Sequence, residues 1–258
     1  MITAASNSRI KRLVQLNQKS KLRRTEDVFL AEGVKMFLEA PREQLQEVYV
    51  SESFLEKCSC REHMEEVGYE AVSDSVFSKI SDTCTPQGVL CVLKQFHYNI
   101  EEMLRDKAPL FLLLENIQDP GNLGTMLRTG EGAGVSGIIM SRDTVDLYNP
   151  KVIRSTMGSI YRVPFYYADD FAAAVHQVQQ AGVSVYAAHL RGKNSYACQD
   201  YTKGTAFLIG NEGNGLREET AELADCYIRI PMEGKVESLN AAVASSILMY
   251  EAHRQRAI

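Results

Sequence analysis

Hydrophobic positions fall into short blocks separated by polar, turn-forming stretches, and the blocks change character near residue 109. Before that point the spacing is mixed. Asn7 can cap a helix that carries Ile10, Leu13, Val14 and Leu16 on one side and Arg9, Lys11, Arg12 and Lys19 elsewhere. Val28-Phe29-Leu30-Ala31 predicts a short strand, residues 33–40 a short helix, and residues 45–50 and 88–96 further strands. Helices are expected over 53–67 and 74–80. Residues 1–96 thus make an αβ unit large enough to fold alone. Residues 97–108 are mostly polar and end at Pro109, which predicts a linker.

From Pro109 the blocks alternate regularly, so 109–258 is expected to form a second domain. Leu110–Leu114 is wholly apolar, as a central parallel strand buried on both faces would be. A helix over 122–133, a strand over 137–141, a helix near 150–157, a strand over 161–165, a helix over 169–181 and a strand over 183–188 follow. Residues 207–209 and 227–230 predict two more strands, the second broken only by Arg229. The first runs into Gly210-Asn211-Glu212-Gly213-Asn214-Gly215 and a helix starting near Leu216. The second runs into Pro231-Met232-Glu233-Gly234 and a helix opened by Ser238-Leu239-Asn240. Strand, tight loop and helix, repeated, predict an α/β fold with a mostly parallel sheet of about six strands. Its ligand would sit at the carboxyl ends of those strands.

Composition narrows the function. No apolar stretch is long enough to span a bilayer. Cys58, Cys60, Cys84, Cys91, Cys198 and Cys226 form no metal-binding spacing, which predicts reduced thiols in a cytoplasmic protein. A net charge of −5 argues against a partner held by bulk electrostatics. The distribution is uneven, however. Arg9, Lys11, Arg12, Lys19, Lys21, Arg23 and Arg24 all precede the first acid, Glu26. This segment imitates a transit peptide, yet it runs without a break into a folded pattern. A basic arm for a phosphate backbone is the reading adopted, a solvated helix face the alternative.

The candidate chemistry lies in the loops. After Leu114 comes Glu115-Asn116-Ile117-Gln118-Asp119-Pro120-Gly121-Asn122. Pro-Gly-Asn forces a turn, and Asn122 can cap the next helix. Arg128, under two helical turns further on, sits near the strand ends, where a guanidinium can fork onto a phosphate or carboxylate. Read alone, it could equally be an exposed helical arginine. Gly132-Ala133-Gly134-Val135-Ser136-Gly137 matches the dinucleotide fingerprint G-x-G-x-x-G, but a helix precedes it and a strand follows, the reverse of what that site needs. A helix C-cap is expected there instead. No Walker A or G-x-S-x-G sequence occurs, His63, His97, His176, His189 and His253 are isolated, and no cluster suggests a metal. Ser238 is also a natural N-cap. The small residues Ala241, Ala242, Ala244, Ser245 and Ser246 fit an interface helix or a tightly buried one equally well.

These residues carry a resemblance to a known family. The chain resembles the SpoU (TrmH-type) RNA 2′-O-ribose methyltransferases of the SPOUT superfamily in three ordered motifs. N-x-G-x-x-x-R is Asn122, Gly124 and Arg128; LIGNEGNGL contains Gly210, Glu212, Gly215 and Leu216; IPMEGKVESLN contains Ile230, Pro231, Met232, Ser238, Leu239 and Asn240. The N-terminal region, with FLAEGVKMFLEA and LQEVYVSE, resembles a ribosomal-protein-L30e-like substrate-binding domain. The resemblance implies a deep trefoil knot in the C-terminal domain and a homodimer with active sites at the subunit boundary. It implies S-adenosyl-L-methionine as cofactor, held by Gly210, Ile230, Met232 and Leu239. Arg128, Asn122, Glu212, Ser238 and Asn240 would be catalytic. A guanidinium stays protonated, so Arg128 is expected to bind phosphate and stabilise the developing alkoxide, oriented by Glu212. Asn122, Ser238 and Asn240 would position the ribose. RNA would be gripped by Arg9, Lys11, Arg12, Arg23 and Arg24. The expected activity is 2′-O-methylation of structured RNA, 23S rRNA first, with no metal and no membrane. A tRNA methyltransferase and a non-catalytic RNA-binding ribosome-assembly protein are the alternatives.

Overall fold

A computed structural model describes residues 1–57 and 60–257. It separates into two units: Met1–Phe96 with Asp146–Tyr161, and His97–Val145 with the chain from Arg162 onward. Cys58 and the middle of the helix expected over 53–67 lie outside the described residues. Cys84, Cys91, Cys198 and Cys226 are free thiols. Among the described residues no helix is long and apolar enough to cross a membrane, and no cluster of His, Cys, Asp and Glu could hold a metal.

In the first unit α1 (Ser8–Gln18) is capped by Asn7, whose Oδ1 accepts the Arg9 N–H at 2.9 Å. After α2 (Ser20–Glu26) come β1 (Val28–Glu32), α3 (Val34–Leu38), β2 (Leu45–Ser51), α4 (Glu52–Lys57), α5 (Arg61–Val67), β3 (Glu70–Val72), α6 (Asp74–Ile80) and β4 (Val89–Lys94). The sheet order is β1-β4-β2-β3, antiparallel except for the β2–β3 pair. On one face Val28, Leu30 and Leu90 pack with Leu13 and Leu16 of α1 and Phe77 and Ile80 of α6. Phe29, which alternation sends to the other face, stacks on Tyr148 with ring centroids 4.8 Å apart. Cover on both faces explains why Val28-Phe29-Leu30-Ala31 reads as an unbroken apolar run.

Asp146–Tyr161 also supplies the partner of Arg23. This guanidinium is only 3% exposed, donates to Asp146 Oδ2 at 2.5 Å and to the Leu16 carbonyl at 2.7 Å, and so does not face an RNA. Arg12 bridges Glu26 and Glu47 at 2.7 Å each, and Arg9 pairs with Glu70 at 3.0 Å. Three of the seven basic residues in the expected arm are therefore neutralised by acids elsewhere in the unit. Lys11 and Arg24 remain exposed without a carboxylate partner among the described residues. Arg23→Ala is expected to destabilise the protein by about 3 kcal/mol, since it leaves a half-buried carboxylate unpaired. Urea denaturation beside RNA titration checks this: weakened RNA binding at unchanged stability would return Arg23 to the RNA surface.

The second unit begins with α7 (Ile100–Met103) inside the expected linker; its Ile100 and Met103 are buried in the unit's core. Next come β5 (Leu110–Leu114), α8 (Pro120–Ala133) and β6 (Gly137–Ser141). The helix expected near 150–157 is α9 (Pro150–Thr156), but it belongs to the first unit and is no crossover of the second. Then follow β7 (Phe165–Ala168), α10 (Phe171–Gln180), β8 (Ser184–Ala188), β9 (Asn194–Ser195), β10 (Thr205–Ile209), α11 (Glu218–Ala221), β11 (Cys226–Arg229) and α12 (Ala241–Arg256). The sheet is seven-stranded, ordered β7-β6-β5-β10-β8-β11-β9, and all these pairs are parallel.

Leu110–Leu114 is fully buried between β6 and β10, each side chain contributing about 2 kcal/mol by leaving water. The strand expected over 161–165 starts later: Ser159–Tyr161 is a 3-10 turn, and pairing begins at Phe165, after Pro164, which lacks the N–H a ladder needs. Gly134, at φ 77°, caps α8 in the left-handed region, so the glycine-rich 132–137 segment is a helix end and not a nucleotide loop.

Candidate active site at the carboxyl ends of the parallel strands

The ends of β8, β10 and β11 open into a cavity of about 270 Å³. That is close to the lower end of small-molecule sites, about 300 Å³. Gly210, Ile230, Met232 and Leu239, the residues expected to hold the cofactor, all line it, as do Glu212 and Ser238. Its apolar walls, Ile209, Ile228, Ile230, Met232 and Leu239, suit a flat heteroaromatic ring. Glu212 and Glu237 at the lining suit a ligand carrying positive charge. Asn122, Arg128 and Asn240 lie outside the lining.

Two of those three are nevertheless tied to it. Glu212 accepts the Asn122 amide at 2.9 Å, and Asn122 Oδ1 accepts the Asn240 amide at 3.0 Å. The three loops that carry the motifs are therefore joined by one hydrogen-bond chain. Glu212 also accepts the backbone N–H groups of Gln118 and Asp119, each at 3.1 Å. Burial by itself raises the Glu212 carboxyl, but the bonds from Asn122 and the backbone outweigh it and hold the group below its ordinary value. These bonds occupy Glu212, which makes none to Arg128 within the chain. Arg128 stands on the exposed face of α8 with no hydrogen-bond or ion-pair partner among the described residues.

Two capping expectations are corrected here. Asp119 caps α8, its Oδ1 accepting the Asn122 N–H at 2.8 Å, while Pro120 takes the first helical turn, where its missing donor costs nothing. The Asn122 side chain is thereby released for Glu212. Asn240 caps α12 by accepting the Ala242 and Val243 N–H groups, so the helix opens at Ala241 and Ser238 is left exposed on the cavity wall.

The loop after β10 is braced from below. Asn211 and Gly215 exchange backbone hydrogen bonds at 3.0 and 2.9 Å, and the Asn211 amide donates to the Asn116 carbonyl at 2.8 Å. Glu115, 1% exposed, accepts the Arg217 N–H at 2.8 Å and the Thr220 hydroxyl. Arg217 also pairs with Asp143. Burial pushes the Asp143 carboxyl up, but the Ser141 hydroxyl and the Arg217 guanidinium prevail and hold it low. Neither this brace nor His189 and Leu190, which extend the cavity wall from β8, was singled out from the sequence. The usable signal was their place just after a predicted strand.

The SpoU rRNA Methylase family profile matches residues 109–250, and that of an MRM3-like substrate binding domain matches residues 7–91. The chain is 32% identical to the 23S rRNA (guanosine(2553)-2′-O)-methyltransferase RlmP of Bacillus subtilis, over 96% of this chain and 97% of that one. Its fold matches the SpoU methyltransferase AviRb from Streptomyces viridochromogenes, solved with AdoMet, at a TM-score of 0.88 and 26% identity, over 97% and 98% of the two chains. An AdoMet-bound rRNA methyltransferase from Sinorhizobium meliloti matches at a TM-score of 0.84 and 30% identity, over 98% and 97%. With a seven-stranded parallel sheet, three motif loops joined at its strand ends and a family match across more than half its length, the chain belongs to the SpoU rRNA methylase family.

Proposed function

We propose that the protein is an S-adenosylmethionine-dependent RNA methyltransferase that modifies a ribose 2′-hydroxyl in 23S rRNA, acting in the cytoplasm. The observation that carries this reading is the Glu212–Asn122–Asn240 chain beside a cavity whose walls fit a cationic nucleoside. Bound there, S-adenosylmethionine supplies an electrophilic methyl group on a sulfonium. The protein must hold the ribose in line and stabilise the charge that grows on its oxygen. Arg128 suits that task, being exposed, always charged and without a partner among the described residues. Asn122 and Asn240 orient each other at the edge of the cavity, and Ser238 offers a hydroxyl on its wall. On the first unit, Lys11 and Arg24 of the expected set stay exposed, and Lys19 and Lys21 join them as the phosphate-binding cations.

Two structural features belong to the same reading. A knotted C-terminal end is part of this reading, in the stretch where β10 enters the sheet between the earlier strands β5 and β8. A homodimer is supported by α12: Val243 and Tyr250, 48% and 49% exposed, lie two turns apart, with the Tyr250 hydroxyl against Gly132 of α8. Arg128 of α8 would then serve its own site or that of a second copy. Light scattering on the wild type and on Tyr250→Glu is expected to give a dimer and a monomer respectively; a wild-type monomer removes the dimer.

The test of function is transfer of labelled methyl from S-adenosylmethionine to 23S rRNA and, in parallel, to bulk tRNA. Label in 23S rRNA that maps to one ribose is expected. Label in tRNA alone would replace the substrate, and cofactor binding without transfer to either RNA would favour a non-catalytic ribosome-assembly role.

A further inference from the structure

The wall that β8 adds to the cavity contains His189, the only imidazole among its lining residues. Three contacts hold it in place. The His189 backbone N–H donates to the Ile228 carbonyl at 3.0 Å, and its ring lies on Tyr227 of β11 with centroids 5.1 Å apart. The Arg191 N–H donates to its Nδ1 at 3.1 Å. A ring nitrogen that accepts carries no proton, so the neutral ring bears its hydrogen on Nε2. That nitrogen has no hydrogen-bond partner among the described residues.

We propose that His189 holds S-adenosylmethionine as a neutral imidazole, donating Nε2–H to an oxygen or nitrogen of the cofactor, and that protonation of the ring loosens this hold. The inference rests on the cofactor reading above. A protonated ring loses the Nδ1 acceptor that the Arg191 N–H requires, and it places a positive charge in the cavity that must also take a sulfonium. The charged groups that act on the ring are Arg191 on its own loop and Glu218 of α11, which pair with each other, while Glu212, Arg229 and Glu237 line the same cavity. Burial first, then the Arg191 charge, lower the His189 pKa from its ordinary value, with Glu218 opposing in part. The ring therefore takes up its proton at a lower pH than an ordinary imidazole does. Because methyl transfer turns the sulfonium into a neutral thioether, the protonated ring discriminates against the donor more than against the spent product.

Calorimetric titration of the full-length protein with S-adenosylmethionine and with S-adenosylhomocysteine, between about pH 8 and about pH 5, tests this. The methyl-donor Kd is expected to rise about tenfold across the range, and that of the thioether by about threefold or less. His189→Gln, whose amide keeps a donor but cannot titrate, is expected to bind more tightly than His189→Leu and to show no such rise. His189→Leu is expected to bind more weakly throughout. Equal pH profiles for wild type and His189→Gln would overturn the proposal, as would unimpaired binding by His189→Leu. If the wild type binds neither ligand at any pH, the cofactor reading itself falls and takes the proposal with it.

Discussion

Arg128→Ala is expected to slow methyl transfer about a thousandfold, the loss typical when a preorganised donor to developing negative charge is removed. The cofactor Kd is expected to stay within about twofold, because changes outside the contact surface cost little and Arg128 does not line the cavity. Truncation leaves no buried group unpaired, since the side chain is exposed and without a partner among the described residues. The whole effect therefore belongs to the reaction and not to folding. Arg128→Lys keeps the charge but loses the planar fork that engages two phosphate or alkoxide oxygens together, so it is expected to recover only a small part of the rate. Single-turnover transfer to RNA, with cofactor affinity measured separately by calorimetry, distinguishes these outcomes. Near-normal turnover by Arg128→Ala would remove Arg128 from the chemistry and leave the Glu212–Asn122–Asn240 chain as the remaining candidate.

Gly210→Ala is expected to have the opposite signature, losing cofactor first. A Cβ at this position would lie 2.2 Å from both the Gly215 carbonyl carbon and the Leu216 nitrogen, and 2.4 Å from the Gly215 oxygen. These are backbone atoms and cannot swing aside as a flexible side chain would. The loop must open, which breaks the two bonds that Asn211 and Gly215 exchange and shifts Leu216 on the cavity wall. Two backbone hydrogen bonds are worth about 2 kcal/mol of stability, so a fall in Tm of roughly 6 °C is expected in a protein of this size. Cofactor affinity is expected to drop by about a hundredfold or more, because the displaced atoms form the pocket itself. Calorimetry and thermal denaturation measure the two effects side by side. A variant that binds S-adenosylmethionine within about threefold of wild type would show that the loop can relax, and that close packing at Gly210 is not what shapes the site.

The two variants also separate what could be read from the sequence from what could not. Periodicity and turn chemistry act locally, so the unbroken apolar run Leu110–Leu114, the Asn7 cap and the glycine-rich loop after β10 were legible in the chain. The four expected pocket residues came from the family resemblance of two motifs, LIGNEGNGL and IPMEGKVESLN, and all four line the cavity. Local spacing misled where two residues competed for one role. Asp119 and Asn122 can both cap α8, and Asn122 was released only because Glu212, ninety residues away, claims its amide. Arg23 looked like an RNA contact because nothing acidic precedes it, yet its partner Asp146 lies 123 residues further on.

Determined by the sequence alone were the alternation of elements, the motif loops and the family resemblance, because each depends on neighbours within a turn or a strand. Tertiary structure decided which cations stay exposed, that β10 inserts between β5 and β8, that α9 joins the first unit, and that His189 lines the cavity at the strand ends. Those outcomes are set by burial and by ion pairing between segments far apart in the chain, and such pairings leave no mark on the spacing of either segment.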